Sequence, residues 1–267
     1  MCRLAFFQTG NEDGYALRVD DVQWLLDYLV SSNGGHGNGC AVFDPDTGAL
    51  LDLVKHVRMS TRRCARMIVN ARATGHVALW HTRLVSIGKQ CRAQCHPHEV
   101  AGPNFVGAIA HNGTWRDGAA IARWLGWSKD KPADGMSDSQ CFAHLLGTIG
   151  ENQMIARGLW PSSGVWLVAG QDGDARPVFE AHKDEWGALV YCPVLRAWLS
   201  ELPWNNKRSG SWYTVAAGRH DMLDVPARPR KRKTPRTQWT GGAGYVSRGC
   251  VWSENDLAEL PALKEYQ

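Results

Sequence analysis

Short apolar runs that suit buried strands alternate along this chain with segments of helical spacing, and that alternation restricts it to a mixed fold in which sheets and helices share a core. Residues 3–7 form the first such run. Residues 20–32 follow an acidic start and place Val22, Leu25, Leu26, Tyr28 and Leu29 at near-helical spacing. A glycine-rich segment, residues 33–39, then leads into a strand at 40–43, a turn at 44–48 and a second strand at 50–54. Its glycines permit positive φ and close backbone approach. No Gly-Lys-Ser/Thr and no helix follows it, so it reads as a turn beside a site rather than a phosphate loop. Residues 62–73 suit a basic amphipathic helix, 77–80 and 106–110 suit strands, and a helix is expected after Ser137. Residues 165–169, 178–179 and 197–201 look like further strands.

A chain of 267 residues with 44% hydrophobic and 21% charged residues can bury a sizeable core. The expected organisation is one main domain over residues 1–225 and an appendage over 226–267. The appendage opens with Arg228, Arg230, Lys231, Arg232, Lys233 and Arg236 among Pro226, Pro229 and Pro235, which reads as an extended solvated segment. Such a run can meet nucleic acid phosphates, but flexible surface is the more common meaning, and nucleic-acid contact is the lesser reading. Residues 241–244 carry a loop signal, and residues 253–257 suggest a capped terminal helix. No apolar stretch is long enough to span a bilayer, and no secretion signal opens the chain. Eight cysteines at irregular separations then imply reduced thiols in a soluble, cytoplasmic protein. Most of the tryptophans, among them Trp80, Trp124, Trp166 and Trp198, lie within apolar patterns and read as core.

Against this background four small motifs carry chemistry. Removal of Met1 would leave Cys2 with its thiol and a free α-amine on one residue, a nucleophile with its own base near neutral pH. By itself a cysteine there is more often a small buried hydrophobe. His81-Thr82-Arg83 closes a strand, where a guanidinium can hold a carboxylate through paired hydrogen bonds, although a local surface ion pair is the commoner role. His111-Asn112-Gly113 ends another strand; Asn-Gly is first a hairpin signal, but also pairs an amide donor with an accessible backbone N–H, the two parts of an oxyanion hole. Asp138, in Ser137-Asp138-Ser139, lies in the first turn of the next helix, where capping is the bland reading.

Taken in order and spacing, these motifs resemble those of class II glutamine amidotransferases, members of the N-terminal-nucleophile hydrolase superfamily. The resemblance is carried by residues 1–150 and extends less distinctly to about 225. Ser86, where threonine is usual, Gly88, and the His96-Pro97 pair fit the pattern, whereas Leu84 and Ile87 depart from the aromatic and polar residues of many members. The resemblance implies an α+β, four-layer αββα sandwich and a glutaminase. Cys2, Asn112 and Gly113 would be catalytic; Arg83, Asp138, Ser86 and His81 would bind substrate, Arg83 taking the α-carboxylate and Asp138 the α-ammonium. Ile87 and the loop at residues 35–39 would add contacts. No cofactor and no metal is expected: Cys91, Cys95, His96 and His98 are chemically suitable zinc ligands, but no second pair at matching spacing follows. No synthase domain follows residue 225, so the expected ammonia acceptor is a separate synthase or ligase, with nucleobase or nucleotide modification one setting. The alternatives are a free-standing γ-glutamyl amide or peptide hydrolase and a non-catalytic interaction protein that keeps the fold.

Overall fold

The computed structural model describes residues 2–10, 17–85, 89–115, 137–156, 160, 164–193, 195–201 and 213–226. Ser86, Ile87, Gly88, Trp124 and the appendage from residue 227 onward therefore lie outside the described residues, as do the basic run, the glycine loop and the terminal helix expected within it.

The chain opens with β1 (Arg3–Phe7), α1 (Val19–Asn33), β2 (Asn38–Phe43), β3 (Leu50–His56), α2 (Thr61–Ala73) and β4 (Val77–Thr82). After a short 3₁₀ turn at Arg92–Gln94 come β5 (His98–Ala101), β6 (Phe105–Asn112) and α3 (Asp138–Ala156). The remaining strands are β7 (Val165–Asp172), β8 (Pro177–Lys183), β9 (Val190–Cys192), β10 (Ala197–Leu199), β11 (Tyr213–Thr214) and β12 (Gly218–Asp221). They build two antiparallel sheets, one ordered β11-β9-β10-β1-β4-β2-β3 and the other β12-β8-β7-β6-β5. The mixed architecture inferred from the alternating patterns is present. Helix α2 starts one residue earlier than its spacing suggests because the Ser60 hydroxyl caps it, accepting the Arg63 N–H at 3.3 Å.

Three apolar clusters explain why the strands read as unbroken hydrophobic runs. Ala5, Phe7, Cys40, Val42, Ala78 and Trp80 of the larger sheet pack with Leu25, Leu26 and Leu29 of α1 and with Ala65 and Ile68 of α2. The alternate residues of the same strands, Leu4, Phe6, Ala41, Phe43, Val77 and Leu79, meet Ala108, Ala110, Leu167, Ala169 and Phe179 of the smaller sheet. The other face of that sheet, Ile109, Trp166 and Val168, receives Phe142, Leu145 and Leu146 of α3. Because successive strand side chains point to opposite faces, a strand covered on both sides must be apolar at every position. Each fully buried Leu or Phe contributes about 1.5–3 kcal/mol, which is the main force holding sheets and helices together. Trp80, Trp166 and Trp198 are among the largest buried side chains, so these tryptophans are core.

No helix among the described residues is long and apolar enough to cross a membrane.

Candidate active site

The register of the central strands sets the site. Arg3 of β1 pairs with Thr82 of β4, and Thr82 with Asn38 of β2, so Cys2, Arg83 and the loop before β2 share one end of the larger sheet. The Leu84 N–H donates to Cys2 Sγ at 3.3 Å, and the thiol points back at the Leu84 carbonyl at 3.5 Å. Backbone groups of Leu84, not its side chain, therefore meet the sulfur, which lessens the weight of leucine at that position. Burial pushes the Cys2 thiol above its ordinary range; the Leu84 hydrogen bond and the charges of the chain terminus and Arg83 pull against it. The start of β1 is anchored: Arg3 donates to the Cys2 carbonyl at 3.2 Å and to Ser32 Oγ at 3.0 Å, and the Leu4 N–H donates to Ser200 Oγ at 2.9 Å.

The glycine-rich segment clasps the arginine strand end. His36 donates its N–H to the Arg83 carbonyl at 2.9 Å, the Arg83 N–H donates to the Gly37 carbonyl at 2.8 Å, and the Val85 N–H donates to His36 Nδ1 at 2.9 Å. At Gly39 a Cβ would fall 2.1 Å from the His96 carbonyl, so only glycine admits this approach. The Arg83 side chain is buried and donates to the Lys89 carbonyl at 2.6 Å and to Gln94 Oε1 at 3.1 Å. The 89–94 segment holds it from behind.

Asp138 opens α3 and accepts the Trp115 N–H at 2.7 Å and the Ser139 N–H at 2.9 Å. Its carboxyl is raised by burial against the pull of those two bonds and of the Arg83 charge. Cys2 lies within electrostatic reach of both Arg83 and Asp138. Asn112 and Gly113 end β6, and Gly164 lies against them: with φ of +91°, it leaves no room for a Cβ, which would sit 2.3 Å from the Asn112 carbonyl. The Asn112 Oδ1 is buried without a hydrogen-bond partner among the described residues.

Behind these groups stands a wall of histidines that sequence reasoning did not find. His81 stacks on His96 with ring centroids 4.1 Å apart, and His96 meets His98 at 4.2 Å. His81 Nε2 bonds the His111 carbonyl at 3.0 Å, and the His111 N–H donates to His96 Nδ1 at 3.2 Å. His81 is fully buried, so the structure gives it a place in the wall between the sheets, not an open face toward a ligand. Burial drives its pKa down to about 3 and drives those of His96 and His98 well below the ordinary range. The same stacking draws His96 and His98 into the wall, and among the described residues they are not gathered with Cys91 and Cys95 as one ligand set. His111 stacks face to face on Trp166 at 3.5 Å, bonds Ser139 Oγ at 3.1 Å, and lies 3.9 Å from Asp138 Oδ2. The signal for this wall was present as histidines at positions 81, 96, 98 and 111, but only register and sheet stacking bring them together.

No family model matches the chain, and neither does any curated protein. Among solved structures, it is similar to the allosteric regulatory enzyme of purine biosynthesis, with a TM-score of 0.50 and 15% identity over 74% of this chain and 41% of that one. The chain shares its fold with that enzyme. Glutamine phosphoribosylpyrophosphate amidotransferase from B. subtilis, in complex with ADP and GMP, aligns over the same shares at 14% identity with a TM-score of 0.47. The chain thus aligns with less than half the length of either protein. In this fold the two sheets bring the ends of β1, β4 and β6 together, where the four motifs lie.

Proposed function

We propose that this protein hydrolyses the side-chain amide of glutamine to glutamate and ammonia through a thioester on Cys2, once Met1 has been removed. The observation that best supports the reading is that the Arg3–Thr82 register puts Cys2 and Arg83 at one end of the larger sheet, with Asp138 within electrostatic reach of both and Asn112 closing β6. A free amino acid presents a carboxylate, an ammonium and, in glutamine, an amide at fixed separation. Arg83, Asp138 and Cys2 match those three groups in kind. Ser86 would add a contact to the amino-acid moiety, and His81 would support the site from the wall.

The steps follow from the chemistry of the groups. The raised thiol is protonated at rest, so it needs a base, and the α-amine freed on Cys2 takes its proton as sulfur bonds to the amide carbon. The oxyanion that forms is stabilised by the Asn112 Nδ2 and Gly113 N–H groups. The ammonium returns its proton to the amide nitrogen, the C–N bond breaks, and ammonia leaves a γ-glutamyl thioester. Water then adds with the amine as base, the C–S bond breaks, the thiol is restored, and glutamate departs. Metal and cofactor take no part in these steps.

Under the same reading the order of the three clusters, helices, sheet, sheet and helix, supports the four-layer αββα sandwich of N-terminal-nucleophile hydrolases over residues 1–225. The appendage at 226–267 and a cytoplasmic setting remain with that proposal, as does a separate synthase or ligase that consumes the ammonia. The test is direct: purified protein lacking Met1 should release glutamate and ammonia in equal amounts from glutamine alone, and Cys2→Ala should release neither. Turnover confined to γ-glutamyl peptides would instead establish the free-standing hydrolase.

A further inference from the structure

On the face of the smaller sheet that carries α3, four side chains stand in line across four strands. The register pairs His111 with Trp166, Trp166 with His182, and His182 with Arg219. The inner end of this row belongs to the site described above. The outer end holds a cluster that the proposed reaction does not use: Glu151 from α3, Glu180 and His182 from β8, and Arg219 from β12.

His182 Nε2 lies 3.1 Å from Glu180 Oε2 and 3.4 Å from Glu151 Oε1. One nitrogen and one oxygen from each carboxylate thus fall within 4.8 Å of one another, the only such group of potential metal donors among the described residues. Arg219 engages the other oxygen of Glu180 and approaches Glu151 Oε1 at 3.3 Å. Glu151 is about nine-tenths buried, at 10% side-chain exposure, and its Oε1, though close to two cationic neighbours, is shielded from water and makes no hydrogen bond of good geometry among the described residues. Ion-pair proximity and hydrogen-bond geometry disagree here, and the geometry is the more informative: charge is nearby, but no N–H is aimed at the oxygen. A metal ion makes no directional demand and would satisfy that oxygen where a misaligned donor does not.

Two further features build the site. The break in α3 at Gly150, with φ of 75° and ψ of 164°, separates Glu151 from the preceding helical residues. The Trp160 ring packs on the His182 imidazole at 4.4 Å, fixing its orientation. A cleft of about 290 Å³, lined among others by Trp160, Lys183, Asp184 and Arg219, reaches the cluster at His182. Two carboxylate oxygens and one imidazole nitrogen suit a first-row divalent cation.

We propose that Glu151 Oε1, Glu180 Oε2 and His182 Nε2 bind one divalent cation of the Mn²⁺ or Zn²⁺ class, tying the second half of α3 to β8. Arg219 keeps the outer oxygen of Glu180 and competes with the ion for Glu151. This site is independent of the glutamine reading.

Mn²⁺ is the appropriate probe, because the protein's thiols favour softer metals. Full-length protein stripped with a chelator is titrated with MnCl₂, free Mn²⁺ being read by electron paramagnetic resonance and folding by circular dichroism. One saturable Mn²⁺ per chain is expected. Its affinity should fall by about tenfold or more in Glu151→Gln and, separately, in Glu180→Gln, while Arg219→Gln should tighten it by removing the competing cation. Absence of saturable binding in the folded wild-type chain overturns the proposal. So does binding that both glutamine variants leave unchanged, or that Arg219→Gln weakens.

Discussion

Acidification from pH 7 to pH 5 should cost this protein a large part of its stability, and the histidine wall sets the amount. His81, His96 and His98 are almost fully buried, and burial holds all three below the ordinary histidine range, His81 at about 3. In the unfolded chain each takes a proton near pH 6.5, whereas in the folded chain it does not until far lower pH. Their folded pKa values are depressed, so their contribution is fully present above about pH 6.5 and is lost as pH falls toward the folded values. Between pH 7 and 5 each uncompensated protonation amounts to about 2 kcal/mol, or about 6 kcal/mol for the three. His182 acts in the opposite sense in the metal-free chain, because Glu151 and Glu180 raise it against the effect of burial. A raised group gains less than about 1 kcal/mol over this range, since most of its contribution is lost only above the unfolded pKa, which leaves a net loss of about 5 kcal/mol, comparable with the whole stability of many domains. Urea denaturation followed by far-ultraviolet circular dichroism at pH 7, 6 and 5 measures it directly. The midpoint should fall steadily with pH, and His98→Gln should reduce the dependence by about one proton. A midpoint unchanged over that range would refute the claim that these rings are neutral and buried.

Other perturbations test the site and its supports. Arg83→Lys should raise the KM for glutamine more than it lowers kcat, because the second nitrogen of the carboxylate clamp is lost; steady-state assays separate the two. Gly164→Ala should cost about 2 kcal/mol or more in urea denaturation and reduce activity, since the new Cβ collides with the Asn112 carbonyl at a backbone φ of +91°. Ser200→Ala leaves the buried Leu4 N–H without its acceptor and should destabilise by about 1–3 kcal/mol in the same assay, without removing the thiol from its place.

The mixed fold was legible because residues 4–7, 40–43 and 77–80 are apolar at every position, the mark of strands covered on both faces. Residues 20–32 revealed α1 through spacing and an acidic start. The site motifs form an ordered set in the sequence, and in the fold Cys2, Arg83 and Asp138 lie within electrostatic reach of one another. The wall was not legible, because His81, His96, His98 and His111 are brought together by sheet stacking and loop return that no local pattern encodes. The clasp of His36 on Val85 was hidden for the same reason: its imidazole acts on a strand end 49 residues away. The Glu151 cluster escaped notice because its members come from a broken helix and two strands, related only through cross-strand register.

The central claim, that a terminal thiol on Cys2 attacks glutamine, is tested most directly by intact-mass and peptide mapping of the native chain before and after treatment with an electrophilic glutamine analogue. The account predicts a chain shorter by Met1, a single adduct on Cys2, and protection of that adduct by glutamine. Glutaminase activity in a chain that retains Met1, or an inactivating adduct on any other residue, would contradict it.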